Sequence, residues 1–454
     1  MQLLTTSMSS NNNIILDLER KPVGRLLWQY ALPSVIAMTA SSLYNTIDSI
    51  FIGQCVGPLA ISGLAITFPF MNLSAAFGAA VGVGASSFLS MKLGQHDYKT
   101  ARQVLGNATT LNILIGVVFG ALSLLFLDPI LYFFGASDGT ISYAREYMIW
   151  ILLGNVCTHL YFGMNALLRA ASKPKMAMYA TMFTVVLNTL LDPLFIYVLG
   201  LGIQGAAIAT VIAQFIAMLW QFRLFTNKDE MLHLERAALR LDSNIVQNII
   251  AIGMSPFALN VCACIVVIFL NQGLAKYGGD LEVGAYGIGN KVVFIFIMLC
   301  MGINQGMQPI VGYNYGAKKM DRVRKALYLA MTVATAITST GCLVGELFPE
   351  FVCRLFTTDP QLLERSAYAL RINMSVFFLV GFQMVVANFF QSIGQAKMSI
   401  FLSLSRQMLF LLPMLVVFPL IWGLDGVWAS LPASDTLASV VAAAVFLIYR
   451  KKKL

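Results

Sequence analysis

The sequence predicts an all-α integral membrane protein with twelve transmembrane helices in two pseudo-symmetric six-helix lobes. A scarcity of charge, long apolar runs and an internal repeat carry this prediction. Of the 454 residues, 58% are apolar and only 11% are charged. A soluble globular domain carries about 25% charged residues, because its surface must be solvated by water. The composition therefore excludes a soluble fold, and we expect a lipid bilayer to surround the chain.

Twelve apolar runs are long enough to cross a bilayer, for which a helix needs roughly 20 residues. Lipid offers no hydrogen-bond partner to the backbone, so each run is predicted to be helical, and none alternates in the manner of a barrel strand. The first six spans are predicted at 26–52, 59–91, 104–127, 143–168, 176–199 and 206–222. The second six are predicted at 245–271, 283–311, 326–348, 369–390, 398–421 and 427–449.

The two halves of the chain match at an offset of about 222 residues. The offset aligns Gly84 with Gly306 and Gly94 with Gly316. An even number of spans per copy gives both copies the same orientation, so we expect a pseudo-two-fold axis along the membrane normal and a cleft between the lobes. The predicted parts are a cytoplasmic N-terminal segment (1–25), a first lobe (26–222), a cytoplasmic linker (223–244), a second lobe (245–449) and a basic cytoplasmic tail (450–454).

The net charge of +9 is a topology signal. Of the 30 Lys and Arg residues, 23 fall at the two termini and in alternate loops. By the positive-inside rule, both termini face the cytoplasm of a multi-pass protein in the cell membrane. These short basic loops lack an aromatic stacking surface, so nucleic acid is not an expected partner. The first 25 residues do not follow the pattern of a cleaved signal peptide, and the first span is expected to be retained.

Two sequence patterns resemble enzyme motifs but lie in the wrong context. Gly200–Gly205 fits GxGxxG, yet it joins two membrane spans without a βαβ unit. Gly135–Gly139 fits GxSxG, yet it lies in a loop between helices rather than at a strand-to-helix turn. His96, His159 and His233 lack a second ligand at metal spacing, and the seven cysteines are read as thiols. We expect neither an enzyme nor a cofactor.

The ionisable groups inside the spans are the candidates for function, because each is costly in hydrocarbon unless it is paired or hydrated. Asp48 lies in the first span and Asp192 in the fifth, both in the outer half by a rise of about 1.5 Å per residue. Asn188 lies one turn before Asp192 on the same face, and Thr210 reaches a similar depth in the sixth span. We expect these four side chains to converge on a site for a proton or a sodium ion. The alternative is that the acids only bond neighbouring helices.

The second half lacks both acids at the corresponding positions. The offset places Asn271 opposite Asp48, and Met414 or a neighbour opposite Asp192. Ion binding is therefore predicted in the first lobe. Lys291, Arg406 and Asp435 form a candidate second-lobe polar site in which the charges pair with one another, although Lys and Arg can also extend to the interface. No metal is expected except a sodium ion at the first-lobe site.

The residues resemble those of the multidrug and toxic compound extrusion (MATE) transporters over nearly the whole chain. The motifs are Leu43–Gly53 (LYNTIDSIFIG), Leu191–Ile196 (LDPLFI), Gly205–Thr210 (GAAIAT) and Gln308–Ala317 (QPIVGYNYGA). The resemblance implies twelve helices in two lobes and export of amphipathic, often cationic compounds in exchange for sodium ions or protons. It also implies a first-lobe cation site at Asp48, Asn188, Asp192 and Thr210. Some members carry an acid in the seventh span, whereas this chain has none between Asn244 and Lys276.

We therefore predict a monomeric secondary antiporter that works by alternating access, with small amphipathic or cationic organic compounds as substrates. Two carboxylates at one site repel each other when both are charged, which favours a proton as the coupling ion; sodium is the second candidate. The alternatives are a lipid-linked oligosaccharide flippase of the same superfamily, a channel and an intramembrane enzyme. A flippase should gather several cations for a pyrophosphate, and only Lys291 and Arg406 qualify.

Overall fold

The computed structural model describes residues 18–55, 58–227 and 230–453. Within these ranges, the side chains of 43–50 and of some residues between 53 and 65 lie outside the description, as do those at 280, 452 and 453. The described chain is almost entirely helical, as the composition predicts for a protein in lipid.

The first half contains eight α-helices and a π-helical segment in the part of the chain that the structure describes. The α-helices are α1 (Val23–Cys55), α2 (Pro58–Gly94), α3 (Tyr98–Leu125), α4 (Leu127–Phe133), α5 (Ile141–Leu153), α6 (Asn155–Ala170), α7 (Pro174–Pro193) and α8 (Gly202–Phe225). The π-helix Leu194–Val198 continues α7. Helices α5 and α6 bend by 57° at Gly154, so the single span predicted at 143–168 is a broken one.

The second half repeats this arrangement. Its helices are α9 (Ser243–Gly278), α10 (Asp280–Gly316), α11 (Met320–Leu347), α12 (Pro349–Cys353), α13 (Pro360–Met374), α14 (Phe378–Ser392), α15 (Ala396–Leu404) and α16 (Leu412–Lys453). The π-helix Ser405–Leu411 joins α15 to α16. Helices α13 and α14 bend by 51°, which mirrors the bend between α5 and α6.

These helices account for twelve membrane spans. By length and composition, eight described helices can cross a membrane, and the two bent pairs raise the number to ten. One of the eight, Ala396–Lys451, has 56 residues. That is about 84 Å of helix, far more than one crossing needs, and its backbone breaks at Gly423 (φ 57°). Counting this segment as two spans and adding α1 gives twelve, so the predicted fold class is confirmed.

The chain forms two compact units. Unit 1 comprises Met1–Pro22, Ile36–Phe257 and Gly312–Ala317, and unit 2 comprises Val23–Val35, Ala258–Val311 and Lys318–Leu454. The beginning of α1 thus belongs to unit 2, and the beginning of α9 belongs to unit 1. Helix α1 passes from unit 2 to unit 1 after Val35, and α9 passes from unit 1 to unit 2 after Phe257. These two positions are 222 residues apart, so they are equivalent in the sequence repeat.

Each unit has an apolar core of its own. In unit 1, Phe70, Leu131, Tyr147 and Ile196 belong to one buried cluster. In unit 2, one cluster forms around Leu270, Leu411 and Trp428, and another forms around Met374 and Phe377. Large apolar side chains on the outside remain exposed, such as Tyr197 (77%) and Leu420 (73%), as expected for helices whose solvent is lipid.

The repeat is visible in how two glycines pack within unit 1. A Cβ on Gly94 would lie 1.9 Å from the carbonyl oxygen of Tyr313, and a Cβ on Gly316 would lie 2.1 Å from that of Met91. Both relationships follow the 222-residue offset, since Gly94 corresponds to Gly316 and Met91 to Tyr313. Only glycine allows α2 and α10 to approach so closely at both points.

The segment between the halves packs against the N-terminal end of α3. Asn107 donates from Nδ2 to the carbonyl oxygens of Ala238 (3.2 Å) and Arg240 (3.0 Å), and its Oδ1 accepts from the backbone N–H of Asp242 (2.7 Å). Arg102 forms an ion pair with Glu235. This segment is therefore held to the rest of unit 1 by several side chains.

Candidate functional site

Helices α7 and α8 bring three of the four predicted site residues together. Asn188 and Asp192 lie one turn apart on α7, and Thr210 lies on α8. Their exposed fractions are 1%, 0% and 5%. Asp48, the fourth predicted residue, lies in α1 outside the described side chains, so its part in the site stays a prediction.

The amide of Asn188 joins the other two side chains. Its Nδ2 donates to Oδ1 of Asp192 at 3.1 Å and to Oγ1 of Thr210 at 3.4 Å. The Thr210 hydroxyl donates to the backbone carbonyl of Ala206 at 3.0 Å, so its oxygen is left to accept. The donated hydrogen fixes the direction in which the lone pairs of Thr210 point.

The local sequence explains why α7 and α8 approach each other at this level. Pro193 lacks an N–H and interrupts the hydrogen bonding of α7, and the wider π-turn Leu194–Val198 follows. Gly205 on α8 packs directly on this turn, where a Cβ would lie 2.7 Å from the carbonyl of Phe195. The glycines of the GxGxxG pattern therefore have structural roles. Gly200 and Gly202 adopt positive φ angles of 65° and 56° in the turn between α7 and α8, and Gly205 allows close packing.

The three side chains carry the kinds of oxygen atom that a small, hard cation would need. The carboxylate of Asp192, the amide oxygen of Asn188 and the hydroxyl oxygen of Thr210 are the ligand types that Na⁺ and similar ions prefer. Oδ1 of Asn188 is buried and has no hydrogen-bond partner among the described residues. A buried acceptor of this kind is costly unless something donates to it or is coordinated by it. The carboxylate can alternatively take up a proton.

The second-lobe residues are only partly brought together. Arg406 donates from Nε to Oδ1 of Asp435 at 2.5 Å, which forms the ion pair expected for two charges inside a span. Lys291, on α10, is exposed and makes no hydrogen bond or ion pair with any residue that the structure describes. The structure thus gives a pair of charges where the sequence suggested three.

Comparison with known proteins identifies the family. The MatE family model matches residues 33–194 and 251–417, once in each half of the chain. The chain belongs to the MatE family. Members of this family are transporters rather than enzymes, as the sequence predicted.

Relatives of this MatE protein cover almost its full length. The multidrug export protein MepA of Staphylococcus haemolyticus (strain JCSC1435) is 28% identical over 95% of this chain and 94% of its own. MepA of Staphylococcus aureus (strain MSSA476) is 26% identical over 96% of both chains. An outward-facing structure of a multidrug resistance MATE family transporter of the MOP superfamily has a TM-score of 0.90 and 25% identity, covering 97% of this chain and 99% of that one. The predicted resemblance is thereby confirmed.

A polar cluster in unit 1 of this MatE protein was not predicted as a site. The hydroxyl of Ser74 on α2 donates to Oδ1 of Asn155 at 2.6 Å and lies 3.3 Å from Nε2 of His159. His159 is fully buried, and Asn155 donates to the carbonyl oxygen of Gly116 at 3.1 Å. The sequence signal is the spacing of Asn155 and His159, which lie four residues, or about one helical turn, apart. Ser74 is 81 residues from Asn155 and has no such signal.

Proposed function

We propose that this MatE family protein is a secondary antiporter that exports small amphipathic, often cationic organic compounds in exchange for protons, by alternating access of its two lobes. It would act as a monomer in the cell membrane, with both termini in the cytoplasm. The names of the MepA relatives support drug export as the direction and purpose of transport.

The observation that carries the proposal is the fully buried carboxylate of Asp192, hydrogen-bonded to Asn188 inside a membrane span. An acid in hydrocarbon is costly, and membrane proteins retain such acids mainly in ion pathways, proton relays and substrate sites. Proton uptake removes the charge of Asp192 and changes its bond to the Asn188 amide. A proton from outside would thereby favour one lobe arrangement over the other, and its release inside would reset the site.

Sodium is the second candidate ion, because the amide oxygen of Asn188 and the hydroxyl of Thr210 could complete an oxygen shell. A flippase for lipid-linked sugars has less support. A pyrophosphate would require several unengaged cations, whereas Arg406 already pairs with Asp435 and Lys291 is exposed.

Flux measurements in proteoliposomes test the proposal. With an imposed ion gradient, the purified protein should move a fluorescent organic cation such as ethidium against its concentration gradient, and the rate should saturate. A channel would pass the probe only downhill, and an enzyme would convert it without a gradient. The control is the Asp138→Asn variant, which neutralises an exposed acid outside the spans. Absence of uphill flux in the wild-type protein would contradict the antiporter proposal.

A further inference from the structure

We infer that Asp435 in the second lobe is the carboxylate that binds an organic cation substrate, and that Arg406 is an internal cation which the substrate displaces. The inference rests on the proposed function and names a substrate contact for it. It starts from the ion pair between Arg406 and Asp435, in which Nε and Oδ1 are 2.5 Å apart.

The pair lies deep in the membrane-spanning part of unit 2. At about 1.5 Å per residue, Arg406 is about 14 Å along the helix from Lys397, and Asp435 is about 22 Å from Arg450. Those basic residues mark the membrane surface, and the hydrocarbon is about 30 Å thick. Replacing such a buried pair by apolar side chains often stabilises a protein, so stability alone does not explain why the chain has this pair. Its presence points instead to a recognition role.

The two partners differ in exposure. The side chain of Asp435 is 4% exposed, whereas that of Arg406 is 27% exposed. Asp435 is fixed by packing, and Arg406 is long enough to swing away. A cation that replaces Arg406 at Asp435 keeps the carboxylate paired, and the displaced guanidinium of Arg406 can be hydrated. An anion that competes for Arg406 would strand the buried carboxylate without a partner, which is the costly outcome. The ligand class is therefore cationic.

The backbone on both sides of the pair departs from a regular α-helix. Arg406 lies on the π-helix Ser405–Leu411, and Asp435 follows Pro432 within α16. Pro432 has no N–H, so the carbonyl oxygen one turn earlier loses its helical donor. Single π-turns inside α-helices are rare and occur frequently at functional sites.

The surroundings of the pair suit a flat aromatic cation. Tyr286 packs beside Trp428 in unit 2, with ring centroids 6.4 Å apart. Trp428 lies two turns before Asp435 on the same face of α16. Oε1 of Gln407, the neighbour of Arg406 in the chain, is buried without a hydrogen-bond partner among the described residues. A carboxylate, aromatic rings and an oxygen acceptor in an apolar setting are the groups that recognise an organic cation.

Equilibrium binding of ethidium to the purified protein tests the inference. Asp435→Asn should weaken binding at least tenfold, because it removes the carboxylate. Arg406→Gln should tighten binding severalfold, because it removes the internal competitor. The matched control is Arg145→Gln, which breaks a two-bond ion pair with Asp128 that is exposed on both sides. That variant should bind as the wild-type protein does.

The double variant Arg406→Gln with Asp435→Asn separates loss of the binding group from misfolding. It removes both charges and so leaves no buried charge unpaired. It should show the same thermal unfolding as the wild type and the weak binding of Asp435→Asn. Wild-type affinity in this variant or in Asp435→Asn would overturn the inference. So would weaker ethidium binding in Arg406→Gln, or a loss of binding by the anion 8-anilinonaphthalene-1-sulfonate in that variant. If wild-type protein binds ethidium as inferred but shows no uphill flux, the proposed function fails and the binding site stands.

Discussion

The amide of Asn188 donates to Oδ1 of Asp192, one helical turn further along α7, at 3.1 Å. This bond orients the buried carboxylate, while the amide oxygen of Asn188 is left without a described partner. Asn188 and Asp192 are thus held together inside one span, with the carboxylate fixed in place by the amide.

The acids of the first lobe should be essential for export. Asp192→Asn and Asp48→Asn should each reduce gradient-driven export at least tenfold, because an amide cannot exchange a proton. Asn271→Ala, at the position that corresponds to Asp48 in the second half, should retain most of the export. Drug efflux from cells that lack other pumps, at matched protein levels, measures the effect. Near-normal export by both Asp variants would mean that these carboxylates serve only packing.

Close packing of α2 against α10 should depend on Gly94. Gly94→Ala should lower the free energy of unfolding by about 1–3 kcal/mol, because the new Cβ would lie 1.9 Å from the carbonyl oxygen of Tyr313. Gly287→Ala is the control, since its Cβ would meet no atom within 4 Å. That control should be neutral or slightly stabilising. Thermal unfolding in detergent compares the variants, and equal stability of the two would contradict the packing argument.

The cap of α3 should give a pH-dependent contribution to stability. Asp97 accepts a hydrogen bond from the backbone N–H of Thr100 at 3.1 Å. Hydrogen bonding to the side chain of Thr100, and to a smaller extent to its backbone, lowers the pKa of Asp97 below its ordinary value of 3.8. The charged cap therefore contributes fully above pH 3.8, and its contribution is lost as the pH falls through the folded pKa. Asp97→Ala should cost about 0.5–1 kcal/mol at pH 7, at the low end because the side chain is partly exposed.

Thermal unfolding of the wild type and of Asp97→Ala between pH 7 and pH 3 measures this difference. The difference in stability between the wild type and Asp97→Ala should shrink as the pH falls toward 3. The exposed Glu364→Ala variant should show no comparable change with pH. A stability difference between the wild type and Asp97→Ala that stays constant down to pH 3 would show that Asp97 does not act as a charged cap.

The orientation in the membrane can be tested with single cysteines. Position 138 lies in the α4–α5 loop and is exposed, and Leu241 in the inter-lobe segment is 46% exposed. A thiol reagent confined to the outside of intact cells should label Asp138→Cys but not Leu241→Cys, because the basic loops stay in the cytoplasm. Labelling of position 241 alone would invert the topology and the depths assigned to Asp48 and Asp192.

The sequence predicted the fold well because lipid leaves the backbone only one solution: each apolar run must be a helix. The contact of Asn188 with Asp192 was also predictable, because four residues make one helical turn. The break at Gly154 was not predicted, since a glycine within an apolar run does not by itself mark a bend. The contact of Ser74 with His159 depends on how α2 packs on α6, and 85 residues separate the two in sequence. No local pattern encodes such a pairing.

In the proposed mechanism, protons drive export through the buried carboxylate of Asp192. The most direct measurement is ethidium flux in proteoliposomes prepared without sodium, with a pH gradient imposed across the membrane. The wild-type protein should move the probe uphill, and the Asp192→Asn variant should not. Movement driven only by a sodium gradient would contradict the proton assignment, and undiminished proton-driven movement in Asp192→Asn would contradict the role of this site.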